Sequence, residues 1–138
     1  MARKEAAHSR IAPDSSHHLS WGLKISDYSE MFVLTGRVDG DTDDNCLHPG
    51  DPVGQTRGIF QQAKDMLEQE GWSLSDVIRI DICVTKDADY HKNEEGIMQV
   101  WEDFFSDTVP RPAAGTLKIV DGLFRPEFLV ELEFLAVR

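Results

Sequence analysis

Residues 77–84 read Val-Ile-Arg-Ile-Asp-Ile-Cys-Val, and this stretch decides the class of fold. Three isoleucines alternate with Arg79 and Asp81, so the apolar side chains fall on one face of an extended chain and the charged side chains on the other. Such alternation is typical of a β-strand that buries one face and exposes the other. The sequence therefore predicts a strand here, with its apolar face covered by other elements.

Two amphipathic segments flank this strand and are predicted to be helices. Residues 55–71 carry apolar side chains three and four positions apart, which form one stripe on a helix, and Gly71 favours its termination. A second helix of the same kind is predicted after a turn or helix start at residues 87–90. The stripes consist of Ile59, Ala63, Met66 and Leu67 in the first helix and of Ile97, Val100, Trp101, Phe104 and Phe105 in the second.

Four further β-rich runs surround these elements. Residues 21–25 and 31–38 are separated by a turn-like Ser-Asp-Tyr-Ser and are predicted to pair as an antiparallel hairpin. Residues 115–120 and 128–137 are predicted to be the last two strands, and two glutamates alternate with apolar side chains in the final one. The predicted order is β-β-α-β-α-β-β, which indicates an α+β protein with two helices on one face of a sheet.

The other face of that sheet has to be solvated or buried, and a closed oligomer is a common solution. The length of 138 residues suits a single domain, which we assign to residues 19–138. Residues 1–18 are rich in serine, histidine and charge and lack periodicity, so we expect a flexible arm there.

The net charge of −11 argues against a nucleic-acid-binding surface, since no cluster of lysine and arginine offsets the repulsion of phosphates. No run of about eighteen apolar residues predicts a membrane span, and the first ten residues lack the apolar segment of a signal peptide. We therefore expect a cytoplasmic protein that binds neither nucleic acid nor membrane.

The two cysteines, Cys46 and Cys83, lie in an acidic loop and in an apolar strand, and a disulfide between them is not expected in a reducing compartment. We interpret Cys83 as a small buried apolar residue. The acidic residues 39–44 resemble the start of a calcium loop, but Gly50 stands where that pattern needs a glutamate. His17 and His18 lie in the arm without further ligands, so no metal site is predicted.

Five passages, in order, resemble the RidA/YjgF family of reactive-intermediate deaminases. They are Phe-Val-Leu-Thr-Gly-Arg at 32–37, Gln-Thr-Arg at 55–57, Gly-Trp-Ser-Leu-Ser-Asp-Val-Ile-Arg-Ile-Asp-Ile-Cys-Val at 71–84, Val-Trp-Glu-Asp-Phe-Phe at 100–105 and Val-Glu-Leu-Glu-Phe-Leu-Ala-Val at 130–137. Each motif is weak alone, but five in the right order are fairly specific. The resemblance runs from about residue 19 to the C-terminus.

The resemblance implies a chorismate-mutase-like fold of the bacterial type with a mixed sheet, a homotrimer, and ligand clefts between subunits. It also implies hydrolysis of enamine or imine acids to keto acids and ammonia, with no cofactor. Glu131 matches the family glutamate that orients the water, and a carboxylate suits that role because it can accept the water's proton. The implied ligand-binding positions are Leu19, Thr35, Gly36, Met98, Ala114, Gly115 and Thr116.

The chain departs from the family pattern at the position of the arginine that binds the substrate. The family arginine, whose guanidinium forks onto the substrate carboxylate, corresponds to Ala114. Leu19 stands in place of a pocket tyrosine, and Met98 in place of a pocket asparagine. Arg111, Lys118 and Arg125 are the alternative cations nearby.

Three functions follow from these residues. The first is a divergent imine or enamine deaminase that depends on Glu131. The second is a non-catalytic trimer that binds a small metabolite in a cleft lined by Leu19 and Ala114. Cleavage of nucleic acid, an older label for some family members, ranks last because the charge opposes it.

Overall fold

The computed structural model describes residues 2–7 and 19–138. The strands are β1 (Arg3–Ala7), β2 (Gly22–Ser26), β3 (Met31–Val33), β4 (Val77–Thr85), β5 (Ala113–Val120) and β6 (Val130–Val137), and the helices are α1 (Pro52–Gln69) and α2 (Tyr90–Phe105). A short 3₁₀ turn precedes β4 and another follows it. Neither helix is both long and apolar enough to cross a membrane, as far as the described residues extend.

The main sheet has four strands in the order β3-β6-β4-β5. β6 lies antiparallel to both β3 and β4, whereas β4 and β5 run parallel, so the sheet is mixed. The parallel pair is joined through α2, since a parallel connection needs a long crossover. The mixed sheet and the two helices confirm the α+β architecture expected from the sequence.

Both helices pack on one face of this sheet through aromatic side chains. Phe60 of α1 is fully buried, and its ring centroid lies 4.8 Å from that of Trp101 on α2 and 5.3 Å from that of Phe134 on β6. Ile80 and Leu132 contribute further side chains that are fully buried in the same core. The side chains of opposite parity on β4 and β6 therefore point away from the helices, onto a face that we call the open face.

The ends of α1 follow the local sequence. Asp51 caps the N-terminus by accepting a hydrogen bond from the Gly54 backbone N–H at 2.9 Å, and Pro52 occupies the first turn. The helix therefore begins three residues before the predicted Gln55. At the other end Gly71 adopts a positive φ of 79°, the left-handed conformation that glycine tolerates best, as the sequence indicated.

The predicted hairpin between residues 21–25 and 31–38 is wrong. β2 instead pairs antiparallel with β1, while β3 pairs with the C-terminal β6 in the register Met31 to Val137. Arg3–Ala7 therefore form a strand rather than part of a loose arm. The error arose because a solvated two-stranded ribbon needs no apolar face, so this polar segment carries no strand pattern. Residues 8–18, the rest of the predicted arm, lie outside the described residues.

The fully buried Gln55 connects the loop that precedes α1 to the segment that precedes β6. The Gln55 Nε2 donates to the carbonyl oxygens of His48 and Glu127, each at 3.1 Å, and its Oε1 accepts from the Leu129 N–H at 2.8 Å. Buried amides need such partners, because an unpaired polar group in the core costs free energy. Gln55 thereby fixes the entry of the chain into β6, the strand that carries Glu131.

Candidate active site

The open face carries a group of polar side chains from the two central strands. In the register of β4 and β6, Cys83 lies opposite Glu131 and Asp81 lies opposite Glu133. Strand alternation directs all four side chains away from Leu132 and Phe134, which are buried under the helices. The same alternation that forms the core therefore concentrates the polar side chains of β4 and β6 on this face.

A cavity of about 210 Å³ lies among these side chains. β5 contributes Thr116 and Lys118 to its wall, and Lys118 is the partner of Cys83 in the parallel register. The full lining consists of Asp81, Ile82, Cys83, Thr116, Lys118, Glu131 and Glu133. Larger cavities occur elsewhere on the surface, but this one contains Glu131, the predicted catalytic residue.

Glu131 has the electrostatic environment of a proton acceptor. Its side chain is half-buried. The pKa of the Glu131 carboxyl is raised above its ordinary value, mainly because burial removes water from the carboxyl and secondly because the Glu133 carboxylate is nearby. A carboxylate with a raised pKa is a stronger base once it is ionised, and such shifts occur often at active sites. The arrangement can therefore orient a water molecule and accept its proton.

Gly36 allows the chain to pass directly over Glu131. A β-carbon at position 36 would lie 3.2 Å from Glu131 Oε1, a contact tighter than most side chains accept. The neighbouring Arg37 and Leu132 exchange backbone hydrogen bonds of 2.7 and 3.0 Å, which hold this segment against β6. Thr35 lies beside it with an exposed side chain.

Gly115 has a similar role at the start of β5. A β-carbon there would clash with the carboxylate of Asp81 and would lie 2.9 Å from Arg79 Nη2. Asp81 accepts two hydrogen bonds from the Arg79 guanidinium, at 3.0 and 3.1 Å. The backbone of Ala114 pairs with that of Ile80 just before the register shifts. The glycine thus leaves room for an ion pair next to the cavity.

The structure brings together only some of the predicted site residues. Glu131 and Thr116 line the cavity, and Gly36 and Gly115 lie against its side chains. Leu19 is half-buried near the start of β5, where Ser20 donates a 3.0 Å backbone hydrogen bond to Pro112.

Met98 does not share this cavity within one chain. It lies on α2, packs against the core on the helix-covered side of the sheet, and borders a separate depression that includes His91 and Gln99. A helical residue facing that side does not reach the open face of its own sheet, so Met98 and Glu131 do not meet within one chain. Contact between Met98 and another subunit's cleft stays a prediction.

Four of the cavity residues, Asp81, Cys83, Lys118 and Glu133, were not among the predicted site residues, although Lys118 was named as an alternative cation. Cys83 is half-buried and lines the cavity, so its interpretation as a buried apolar residue is wrong. The alternation in residues 77–84 places it on the same face as Asp81, which was the available signal. Both cysteines are free thiols.

The alternative cations differ in their placement. Arg111 donates a 2.8 Å hydrogen bond to Glu102 of α2, and Arg125 lies 3.8 Å from Asp44. Neither lines the cavity, whereas Lys118 does. Arg111 is therefore paired with Glu102 and lies outside the cavity of its own chain.

The acidic loop carries its own hydrogen bonds. The Asp41 carboxylate accepts from the backbone N–H groups of Asp43 and Asn45 at 2.8 and 2.9 Å, which closes a turn within the loop. Across residues 2–7 and 19–138, no three histidine, cysteine or acidic side chains are grouped so as to hold a metal ion. His17 and His18 lie outside the described residues.

Comparison with known proteins shows similarity over most of the chain and not only in the individual motifs. Residues 10–138 match the sequence model of the family described as Endoribonuclease L-PSP. The 3-aminoacrylate deaminase RutC of Acinetobacter baylyi is 31% identical over 106 residues, which cover 77% of this chain and 78% of that protein.

Solved structures agree in fold. The conserved Rid-family protein YyfB of Yersinia pestis superposes with a TM-score of 0.81 at 20% identity, covering 98% of each chain. Rv2704 of Mycobacterium tuberculosis, of the YjgF/YER057c/UK114 family, gives 0.62 at 25% identity over 99% of this chain and 100% of its own. The fold is thus chorismate-mutase-like, and the chain belongs to the RidA/YjgF family, which the Endoribonuclease L-PSP model describes.

Proposed function

We propose that this protein is a divergent imine or enamine deaminase that uses Glu131 to direct water onto the C=N carbon of a small substrate. The observation that carries the proposal is the position of Glu131, half-buried in the open-face cavity with a carboxyl pKa raised by desolvation and by Glu133. The similarity to a 3-aminoacrylate deaminase supports the same class of reaction.

The reaction needs one proton acceptor and a bound water. Ionised Glu131 accepts a proton from water while the water oxygen attacks the imine carbon and the C=N electron pair moves to nitrogen. Glu131 then returns this proton to the nitrogen, which gives a carbinolamine. The hydroxyl proton of the carbinolamine passes through Glu131 to the amino nitrogen, the C–N bond breaks to release ammonia, and the C=O bond forms. An enamine enters the same route after tautomerisation to the imine. The products are a carbonyl compound and ammonia, and no redox cofactor is required.

We propose that the substrate cleft is completed by oligomerisation. Thr35, Gly36, Gly115 and Thr116 are close to Glu131 in one chain, whereas Met98 is on the far side of the sheet. A homotrimer would bring different surfaces of neighbouring copies together, so Leu19, Met98 and Ala114 could line the cleft from other subunits. We also propose a cytoplasmic location for the protein.

A second function is favoured by one specific residue. Position 114 is alanine where the family arginine binds the substrate carboxylate. A site without that fork would bind a metabolite without turning it over, and the protein would act as a non-catalytic binding trimer. Cleavage of RNA, which the family description suggests, is disfavoured by the net charge of −11.

The test is the hydrolysis of imines generated in place by an amino-acid oxidase, corrected for the spontaneous rate. We expect the natural chain to accelerate ammonia and keto acid release, and Glu131→Gln to lower kcat by about a hundredfold or more, as for loss of a general base. Glu68→Gln, on the exposed surface of α1, is the matched control and should retain full activity.

Three results would redirect or contradict the assignment. Ligand-dependent thermal stabilisation without turnover would support the binding trimer instead. Activity that appears only in Ala114→Arg would identify a deaminase scaffold that has lost its chemistry through that substitution. A Glu131→Gln variant as active as the natural chain would contradict the proposed base.

A further inference from the structure

Charge on the open face presents a problem for any acidic substrate. The cavity wall carries the carboxyl groups of Glu131 and Glu133, which would repel a substrate carboxylate, together with that of Asp81. Binding of an anion therefore requires a cation whose charge is not already neutralised. Two basic residues on this face are candidates, Arg79 and Lys118.

Arg79 is not available for this role. Its guanidinium donates two hydrogen bonds to the Asp81 carboxylate at 3.0 and 3.1 Å, and this pairing raises the pKa of the guanidinium further. The pair neutralises both charges, and Gly115 leaves the space that it occupies. Arg79 also does not line the cavity.

Lys118 meets the requirement. Its side chain lines the cavity, and within residues 2–7 and 19–138 no carboxylate forms an ion pair with it. It lies opposite Cys83 in the β4–β5 register, and Cys83 lies opposite Glu131 in the β4–β6 register. Strands are about 4.8 Å apart, so the β-carbons of Lys118 and Glu131 are about 10 Å apart with the Cys83 thiol between them.

We propose that Lys118 is the carboxylate anchor of this protein and replaces the arginine that position 114 lacks. This inference rests on the proposed deaminase function for its substrate, a small 2-imino acid. The substrate carboxylate pairs with the Lys118 ammonium, the carbon skeleton lies over Cys83, and the imine carbon faces the water held by Glu131. A cavity of about 210 Å³ is smaller than drug-sized sites, which fits an acid of a few carbons.

The lysine anchor differs from an arginine fork in a measurable way. An ammonium is a point charge with rotatable donors, so it holds a carboxylate without fixing its plane. Binding should therefore weaken with increasing salt, because the site is open to solvent. The carboxylate should be required for affinity, whereas the shape of the substrate beyond it should matter less.

The experiment measures binding and turnover separately. Isothermal titration with 2-oxobutanoate, a keto acid product, reports affinity without any need for catalysis. We expect Lys118→Met to weaken this binding about tenfold to a hundredfold, as for loss of one charged hydrogen bond, and Lys118→Arg to retain it within about threefold. Lys64→Met, on the exposed surface of α1, is the control and should bind as the natural chain does.

Kinetics with imines made in place then give a second readout. Lys118→Met should raise KM for the imine acid about tenfold with kcat nearly unchanged, because the anchor binds the substrate and the transition state alike. Glu131→Gln should show the opposite split, with lowered kcat and retained keto acid binding. Unchanged melting temperatures of the Lys118 variants will exclude unfolding as the cause.

The outcomes separate the anchor from the deaminase function. If no imine is hydrolysed but 2-oxobutanoate binds and Lys118→Met abolishes this binding, the anchor stands and the proposed reaction falls. If the natural chain does not bind 2-oxobutanoate at millimolar concentration, or if Lys118→Met binds it equally well, the anchor is overturned. Turnover of imines with an unchanged KM in Lys118→Met would overturn the anchor while leaving the reaction intact.

Discussion

The two faces of the same sheet differ in what their side chains do. On the helix-covered face, Leu132 and Phe134 are at most 2% exposed, and the Phe134 ring packs against that of Phe60 on α1. On the open face, Glu131 and Glu133 of the same strand border a cavity with other charged groups. Because successive side chains of a strand point to opposite faces, alternate residues of β6 contribute to the core and to the cavity. Substitutions on the two faces should therefore have different consequences.

The largest effect is expected at the centre of the helix-covered face. Phe60→Ala removes a fully buried ring that contacts four other aromatic rings, and it should lower the free energy of unfolding by about 3–5 kcal/mol. Phe124→Ala is the control, because that ring is 61% exposed, and it should cost less than about 1.5 kcal/mol. Chemical denaturation measures both values. Equal losses would mean that the helix-covered face is not the main source of stability.

Two glycines allow a finer comparison, because a β-carbon at either would clash with an aspartate. At Gly58 the obstacle is Asp39, which is fully buried and bonded to His48 at 2.7 Å, so it has no room to move. Gly58→Ala should therefore destabilise by about 1–3 kcal/mol, as expected for overpacking.

At Gly115 the obstacle is the partly exposed ion pair of Asp81 and Arg79, which can rearrange into solvent. Gly115→Ala should cost less than about 1 kcal/mol, the usual worth of an exposed pair. Thermal or urea unfolding of the two variants side by side tests the difference. A Gly115 variant that loses as much stability as the Gly58 variant would show that the open face is as tightly packed as the core.

The smallest effect is a gain of stability at the site itself. The pKa of Glu131 is raised in the fold, so its ionised form is less favourable there than in the unfolded chain, and stability is lost as the pH rises through the folded pKa. Glu131→Gln should therefore raise the melting temperature slightly at neutral pH. The gain should disappear at a pH below the ordinary carboxyl pKa, where the glutamate is protonated in both states. A variant that melts earlier at neutral pH would contradict this sign.

Much of the helix-covered face was predictable, because its signals are local. The apolar stripe of α1 with Ile59 and Leu67 and the alternation in β4 report burial directly, and the structure places these side chains in the core. Glu131 was predicted from the resemblance of residues 130–137 to a family motif. The alternation of glutamates with apolar residues did not predict it, since such alternation is equally typical of a strand with one solvated face. The two glycines next to the site, Gly36 and Gly115, were also predicted by resemblance.

The rest of the site depends on which strands pair with each other. Local sequence patterns do not encode this pairing. Lys118, Cys83 and Glu131 form one row only because β4 lies between β5 and β6 in a particular register. The pairing of β2 with β1 was missed for the same reason, since it joins two segments of weak pattern. Met98 was assigned to an inter-subunit cleft by an alignment of motifs, and this assignment stays a prediction, since the fold puts its helix on the opposite face of its own sheet.

The most direct measurement of the central claim is the pH dependence of kcat/KM for imine hydrolysis, which reports the ionisation of the free enzyme's base. We expect the rate to fall towards acid pH as Glu131 becomes protonated. Because the Glu133 carboxylate helps to raise the pKa of Glu131, Glu133→Gln should move this fall to lower pH. A profile without an acid limb would contradict Glu131 as the base, and a limb that Glu133→Gln leaves in place would contradict the coupling between the two carboxyls.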